Sequence, residues 1–141
     1  MTAYVDGASR GNPGPAGFGV YMTTDTGEIL EICGFLGTAT NNIAEYAGLI
    51  EALTVARAEG ATEVEIISDS LLLVNQMLGE FKVKHPNLIP LHKKARGLAS
   101  FFNRFSIRHT PRAGNKEADR LANQAVDRGD ARWEDRRRDD R

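Results

Sequence analysis

At 141 residues, with 41% apolar and 26% charged side chains, the sequence is that of one ordinary soluble domain with a single core. One cysteine excludes an internal disulfide, one cysteine with three scattered histidines offers no zinc site, and no apolar run approaches the roughly 20 residues that span a bilayer. The net charge of −1 conceals a separation of signs: residues 1–80 carry eleven acids against two bases, Arg10 and Arg57, while residues 81–116 carry nine Lys/Arg and no acid. A one-sign stretch of that length points to a polyanionic partner, and acids concentrated elsewhere suit a divalent cation.

Residues 2–6 read as a short strand, and the residues around them lack the basic-then-apolar order of a signal peptide, so a cytoplasmic location is expected. The Gly/Pro-rich run at residues 7–17 reads as a loop with several special backbone angles. Strands at 18–23 and 29–37 follow, with Asp25-Thr26-Gly27 as the hairpin turn, and Cys33 between Ile32 and Gly34 reads as a small buried residue. Thr40-Asn41-Asn42 offers caps to a helix over about 43–59, where Ile43, Tyr46, Leu49, Ile50 and Leu53 keep helical spacing and Gly60 ends the run. A strand at 63–68, a short helix at 70–78, a polar connection and a helix led by Pro86 and Pro90 to about residue 103 come next. A strand at 105–109 and an amphipathic helix over 114–127, through Ala118, Leu121, Ala122 and Ala125, complete the order β-β-β-α-β-α-α-β-α. That order predicts an α/β domain over 1–127: a mixed five-stranded sheet, three antiparallel strands then two parallel, with helices on both faces. Residues 128–141, with six Arg, five acids and only Trp133 to bury, read as a flexible tail or a frayed helix extension. No linker to a second domain is apparent, and a stand-alone monomer is expected.

Four acids fall where strands end or helices begin. Asp6 closes the first strand and Asp69 follows the fourth, so if those strands are parallel neighbours both carboxylates emerge at one sheet edge. Glu45 lies in the first turn of its helix and Asp119 in the second turn of the last. Clustered carboxylates repel and need cations, and an all-oxygen set selects a hard ion such as Mg2+. The same residues have plainer readings: Glu45 as a partner of the helix dipole, Asp69-Ser70 as a helix cap, Asp6-Gly7 as a turn. Spacing alone leaves both readings open.

The segment Tyr4-Val5-Asp6-Gly7-Ala8-Ser9-Arg10-Gly11-Asn12-Pro13-Gly14-Pro15-Ala16-Gly17 closely resembles the opening signature of type 1 ribonucleases H. Thr40-Asn41-Asn42-Ile43-Ala44-Glu45-Tyr46, Ile66-Ile67-Ser68-Asp69-Ser70 and Asn115-Lys116-Glu117-Ala118-Asp119-Arg120-Leu121-Ala122 resemble the second, third and fourth motifs, in the family's order. The resemblance implies a ribonuclease H-like fold and an endonuclease that hydrolyses the RNA strand of RNA–DNA hybrids, leaving 5′-phosphate and 3′-hydroxyl ends. It implies metal ligands at Asp6, Glu45, Asp69 and Asp119 for two Mg2+ ions, with Mn2+ as a substitute, and a mobile histidine that helps product leave at His109. Asn12, Asn41 and Asn42 resemble the family's contacts to the hybrid's minor groove, where the 2′-hydroxyl is read, and Thr40 its grip on a DNA phosphate. Turn and cap roles serve these four residues equally well.

Two departures stand out. Some members carry Gln two residues after the third acid, where this chain has Leu71, and some insert a basic Trp-rich handle, for which residues 81–91 are too short. The chain resembles the handle-less branch, with Lys82 and Lys84, and beyond them Lys93, Lys94 and Arg96, as basic residues that compensate or simply form a solvated surface. His85 and His92 are assigned surface or phosphate contacts. Other readings are a nuclease that also cuts double-stranded RNA, a non-catalytic nucleic-acid-binding module, and a transposase or resolvase relative. Retention of all four acids argues against the module, since clustered negative charge repels phosphates, and the Asn-rich second motif argues against the transposase.

Overall fold

The computed structural model describes residues 1–139. Its strands are β1 (Thr2–Ser9), β2 (Gly14–Thr23), β3 (Glu28–Ala39), β4 (Glu63–Ser68), β5 (Arg104–His109) and β6 (Trp133–Arg138), and its helices α1 (Asn41–Ala58), α2 (Leu71–Met77), α3 (Ile89–Ala99) and α4 (Lys116–Arg128), with a 3-10 turn at Arg112–Gly114. They form one mixed sheet in the order β5-β4-β1-β2-β3-β6. β1, β2 and β3 pair antiparallel, and β4 joins β1 and β5 in parallel, as the order of elements predicts. No described helix is long and apolar enough to cross a membrane.

Side chains alternate across the sheet, and the two faces are covered differently. Val5, Val20, Met22, Leu30, Ile32 and Ile66 pack with α1, α2 and α3 residues such as Leu49, Leu53, Leu73 and Ala95 in the main core. On the other face Leu121 and Ala125 of α4 pack with Cys33, Tyr21 and Trp133, which makes Cys33 the buried apolar residue expected of it.

Three expectations need correction. First, residues 7–17 are not a loop throughout: β1 runs to Ser9 and β2 starts at Gly14, with pairs such as Gly7↔Phe18 and Ala8↔Gly17. Only residues 10–13 turn, with Gly11 at φ 119°. Gly7 and Gly17 of this run therefore serve packing rather than turning. A Cβ on Gly7 would overlap the backbone of Ala44 and Glu45, and one on Gly19 the backbone of Ala118 and Ala122, so bare strand surface lets α1 and α4 approach.

Second, the sheet has six strands, not five, because the closing segment is not a frayed tail over its described part. β6 pairs antiparallel with β3 from Cys33↔Trp133 to Glu28↔Arg138. Gly129, at φ 70°, ends α4, and its neighbour Asp130 accepts from Phe35 N at 2.9 Å as the chain turns back. Three of its arginines find acids elsewhere: Arg137 meets the buried Glu31 at 3.1 Å, Arg136 meets Glu59 at 2.6 Å, and Arg132 meets Glu51 at 2.6 Å. Low apolar content misled here, since an edge strand closes a backbone ladder and ion pairs without a hydrophobic run. Residues 140 and 141 of that segment lie outside the described residues.

Third, α1 begins at Asn41 with Thr40 as its N-cap (Ile43 N donates to Thr40 Oγ1 at 3.2 Å), and α4 begins at Lys116. Glu45 therefore sits in the second turn of its helix and Asp119 in the first, the reverse of the expected placement.

Candidate active site

β1 and β4 set the site. Their parallel ladder ends at Val5↔Ser68, so Asp6 and Asp69 are the next residue on each of two adjacent strands and leave the ladder side by side. Gly7 lets the backbone of α1 lie against β1, which brings Glu45 to the same place. A carboxyl oxygen from each of Asp6, Glu45 and Asp69 falls within 4.8 Å of the others. Asp119 stands outside that group but beside Asp6, and all four acids line one cleft of about 480 Å³ together with Asn41, Asn42, Ser70, Arg112 and Asn123.

The plainer readings of these acids lose their basis. Glu45 lies beyond the first turn, where the dipole acts most. Ser70, not Asp69, caps α2, accepting from Leu73 N at 3.2 Å. Asp6 lies within β1, opposite Gly19, not in a turn.

The electrostatics are those of buried acids crowded against one another. Burial, then the charge of Asp69 and the contact with Asp119, hold the Asp6 carboxyl well above the ordinary range, only partly offset by the Gly7 amide. Burial, then the charges of Asp6 and Asp69, do the same to Glu45. Glu45 Oε2 is buried without a hydrogen-bond partner, a costly state for a carboxylate unless a cation satisfies it. An all-oxygen set with one orphaned oxygen fits a hard divalent cation, which Asp6, Glu45 and Asp69 could hold, with Asp119 beside them.

α4 is tied to this edge by Asn115, 1% exposed, whose Nδ2 donates to Val5 O at 2.8 Å and whose carbonyl accepts from Asp119 N at 3.1 Å. Asn123 donates to Asp119 O at 2.9 Å and to its Oδ1 at 3.4 Å, and Arg112 Nη2 lies 3.9 Å from the same Oδ1. None of these three was singled out from the sequence. The spacing of Asn123, four residues after Asp119 on one helix, is a signal that would have found it. Asn115 and Arg112 act through contacts that only folding creates.

The other candidates divide. Asn41 and Asn42 are exposed at the mouth of the cleft. Asn12 and Thr40 line a smaller neighbouring cavity of about 170 Å³ with Asn42, His85 and Asn87. Asn12 Oδ1 accepts from Asn41 N at 3.1 Å, so structural roles do occupy Asn12 and Thr40. His109 ends β5, exposed and outside the lining of the cleft. Lys82 and Lys84 lie exposed on the connection between α2 and α3, which carries no helix, and are not among the residues lining the cleft.

A mixed sheet in this order, with acids from β1, α1, β4 and α4 at one edge, defines the ribonuclease H-like fold. The family described as reverse transcriptase-like matches residues 4–125. A bifunctional protein of Mycobacterium tuberculosis is 53% identical over 124 residues, 86% of this chain but 34% of that protein. This chain thus spans about a third of the length of the first curated relatives it matches. The crystal structure of RNase H1 from Halobacterium salinarum superposes with a TM-score of 0.85 at 44% identity, over 90% of this chain and 97% of that one. LC11-RNase H1, solved in complex with an RNA/DNA hybrid, superposes with a TM-score of 0.84 at 40% identity, over 91% and 97%. The chain belongs to this family, among its type 1 ribonucleases H.

Proposed function

We propose that this chain is a metal-dependent endonuclease that hydrolyses the RNA strand of RNA–DNA hybrids. The observation that carries the reading is the convergence of Asp6, Glu45 and Asp69 within 4.8 Å, with Glu45 Oε2 buried and unpartnered. The relative solved on an RNA/DNA hybrid supports the choice of substrate.

On this reading Asp6, Glu45, Asp69 and Asp119 hold two Mg2+ ions, for which Mn2+ substitutes. When bound, such ions neutralise phosphate charge and make water nucleophilic near neutral pH. The protein's own part is placement. Asn115 and Asn123 fix Asp119, while Asn41 and Asn42 face the groove in which a 2′-hydroxyl distinguishes RNA from DNA. Water adds to phosphorus and the 3′ oxygen leaves, giving 5′-phosphate and 3′-hydroxyl ends.

The test is to incubate the protein and Mg2+ with a labelled hybrid, single-stranded RNA, double-stranded RNA and double-stranded DNA of one sequence. Cleavage of the hybrid alone, on its RNA strand and abolished by EDTA, is expected. Equal cleavage of double-stranded RNA would establish the broader nuclease, and binding without cleavage in Mg2+ and Mn2+ a non-catalytic module.

A further inference from the structure

Ile89, His92, Arg96 and the capping Ser100 recur along α3 at helical spacing and so form one stripe. All four line cavities outside the acidic cleft. The first cavity, of about 590 Å³, is bounded on its other side by Gln76 at the end of α2 and by Gly79, Phe81 and Val83 of the connection. The second, of about 320 Å³, adds Met77, Ala99 and Phe105 and shares Arg96 with the first. Together they make a groove that follows α3 from Ile89 to Ser100, about 16 Å at the helical rise per residue. Among the described residues none lines both this groove and the acidic cleft.

Phe81 and Ile89 are each 48% exposed, and Leu78, beside the lining Gly79, is 55% exposed, so large apolar side chains meet water in one place. The basic stretch 81–116 supplies Lys82 and Arg96 to the lining, against one acid, Glu80. The wall that carries these charges is fixed. Arg96 Nη1 donates to Met77 O at 3.0 Å, and His92 Nε2 lies 3.2 Å from Gln76 O, so both side chains are tied to the end of α2. A guanidinium engaged through one nitrogen has donors left for a carboxylate.

We propose that this groove is a docking site for an acidic amphipathic helix of a partner protein, about three turns long. Its apolar stripe would lie over Leu78, Phe81 and Ile89, and its carboxylates would meet Lys82 and Arg96. Exposed apolar side chains rimmed by polar groups mark protein contacts, and a helix laid in a groove anchors itself through residues at i, i+3, i+4 and i+7. A nucleic acid would use the bases of this surface but give Leu78 and Ile89 only sugars and phosphates to face, whereas an acidic helix uses both kinds of side chain.

The experiment selects peptides of about 12 residues, the length the groove holds as helix, from a random displayed library on the immobilised chain. Enriched peptides, synthesised and labelled, are then titrated by anisotropy with wild type, Phe81→Ser, Ile89→Ser and Arg96→Gln. Expected are sequences with net negative charge and apolar residues at helical spacing, binding with a Kd on the order of 10 μM. Each apolar substitution should weaken them roughly tenfold, and Arg96→Gln several-fold with a flatter response to salt. Phe81→Ser and Ile89→Ser should keep the wild-type melting temperature and hybrid cleavage, because both side chains are exposed and outside the cleft. No enrichment, enriched peptides that are basic or lack apolar positions, or binding that the substitutions leave unchanged overturns the proposal. So does a fall in hybrid affinity in Phe81→Ser and Ile89→Ser, which makes the groove a nucleic-acid surface. A wild-type dimer in sedimentation that these substitutions dissolve makes the occupant a second copy and overturns it as well.

Discussion

Replacing Asp6 by Asn should make the metal-free protein more stable above neutral pH, although it removes an acid of the proposed metal site. Asp6 is 4% exposed, and its carboxyl lies with those of Glu45 and Asp69 within 4.8 Å. Two unit charges about 5 Å apart repel by roughly 3 kcal/mol at an effective dielectric of about 20. Asp6 has two such neighbours, but protons retained by the cluster and relaxation relieve much of the repulsion, leaving a net gain of about 2 kcal/mol. The sign follows from linkage. Burial and neighbouring acids raise the Asp6 carboxyl in the folded state, so the native protein keeps a proton that the unfolded chain releases near pH 4. The stability that proton confers is complete below about pH 4 and drains away as pH rises through the raised folded value. Asn does not titrate, so the variant's advantage should be small at pH 5 and full at pH 9. Thermal melts in EDTA at those two pH values read it as about 4–8 °C at the higher. Added Mg2+ should restore stability to the wild type and much less to the variant. A variant no more stable than wild type at pH 9 in EDTA would refute the argument.

Removing residues 130–141 strips β6 from β3 and leaves Glu31 without Arg137, so a loss of at least about 2 kcal/mol in urea denaturation is expected. Cleavage per folded molecule should stay near wild type, because β6 lies at the edge of the sheet away from β1 and β4. Asn115→Ala breaks the bond to Val5 O in a buried place, so a loss of about 1–3 kcal/mol should appear together with a fall in kcat as Asp119 loses its anchor. Asn115→Asp, of the same shape, should rescue neither. His109→Ala should lower kcat moderately with KM little changed, the pattern of slowed product release, and an unchanged kcat would return His109 to a solvated strand end.

Most of the fold was legible because its signals are local. Helical spacing marks α1 and α4, Asp25-Thr26-Gly27 marks the hairpin, and Thr40 marks the start of a helix whether or not the rest of the chain is known. The four acids were legible as candidates because each stands next to such a boundary. What local signals could not decide was which of two readings each residue obeys. Gly7 and Gly17 carry the same composition signal as turn glycines, yet they are strand positions set against α1 and α4, and the difference lies in helices far along the chain.

The sequence by itself determined the order of elements as far as α4, the acids and the sign of charge along the chain, since these depend on neighbours within a few residues. Only the tertiary structure decided that Val5 and Ser68 end one parallel ladder, so that Asp6 and Asp69 converge, and that Asn115 joins α4 to β1 across 110 positions. It also decided that Arg132, Arg136 and Arg137 of the closing segment pair with acids on α1, at its C-cap and on β3. The physical reason is common to all three. Repulsion among buried carboxylates, a buried amide bond and an edge strand held by ion pairs are energies between residues distant in sequence, and they exist only once the sheet has brought those residues together.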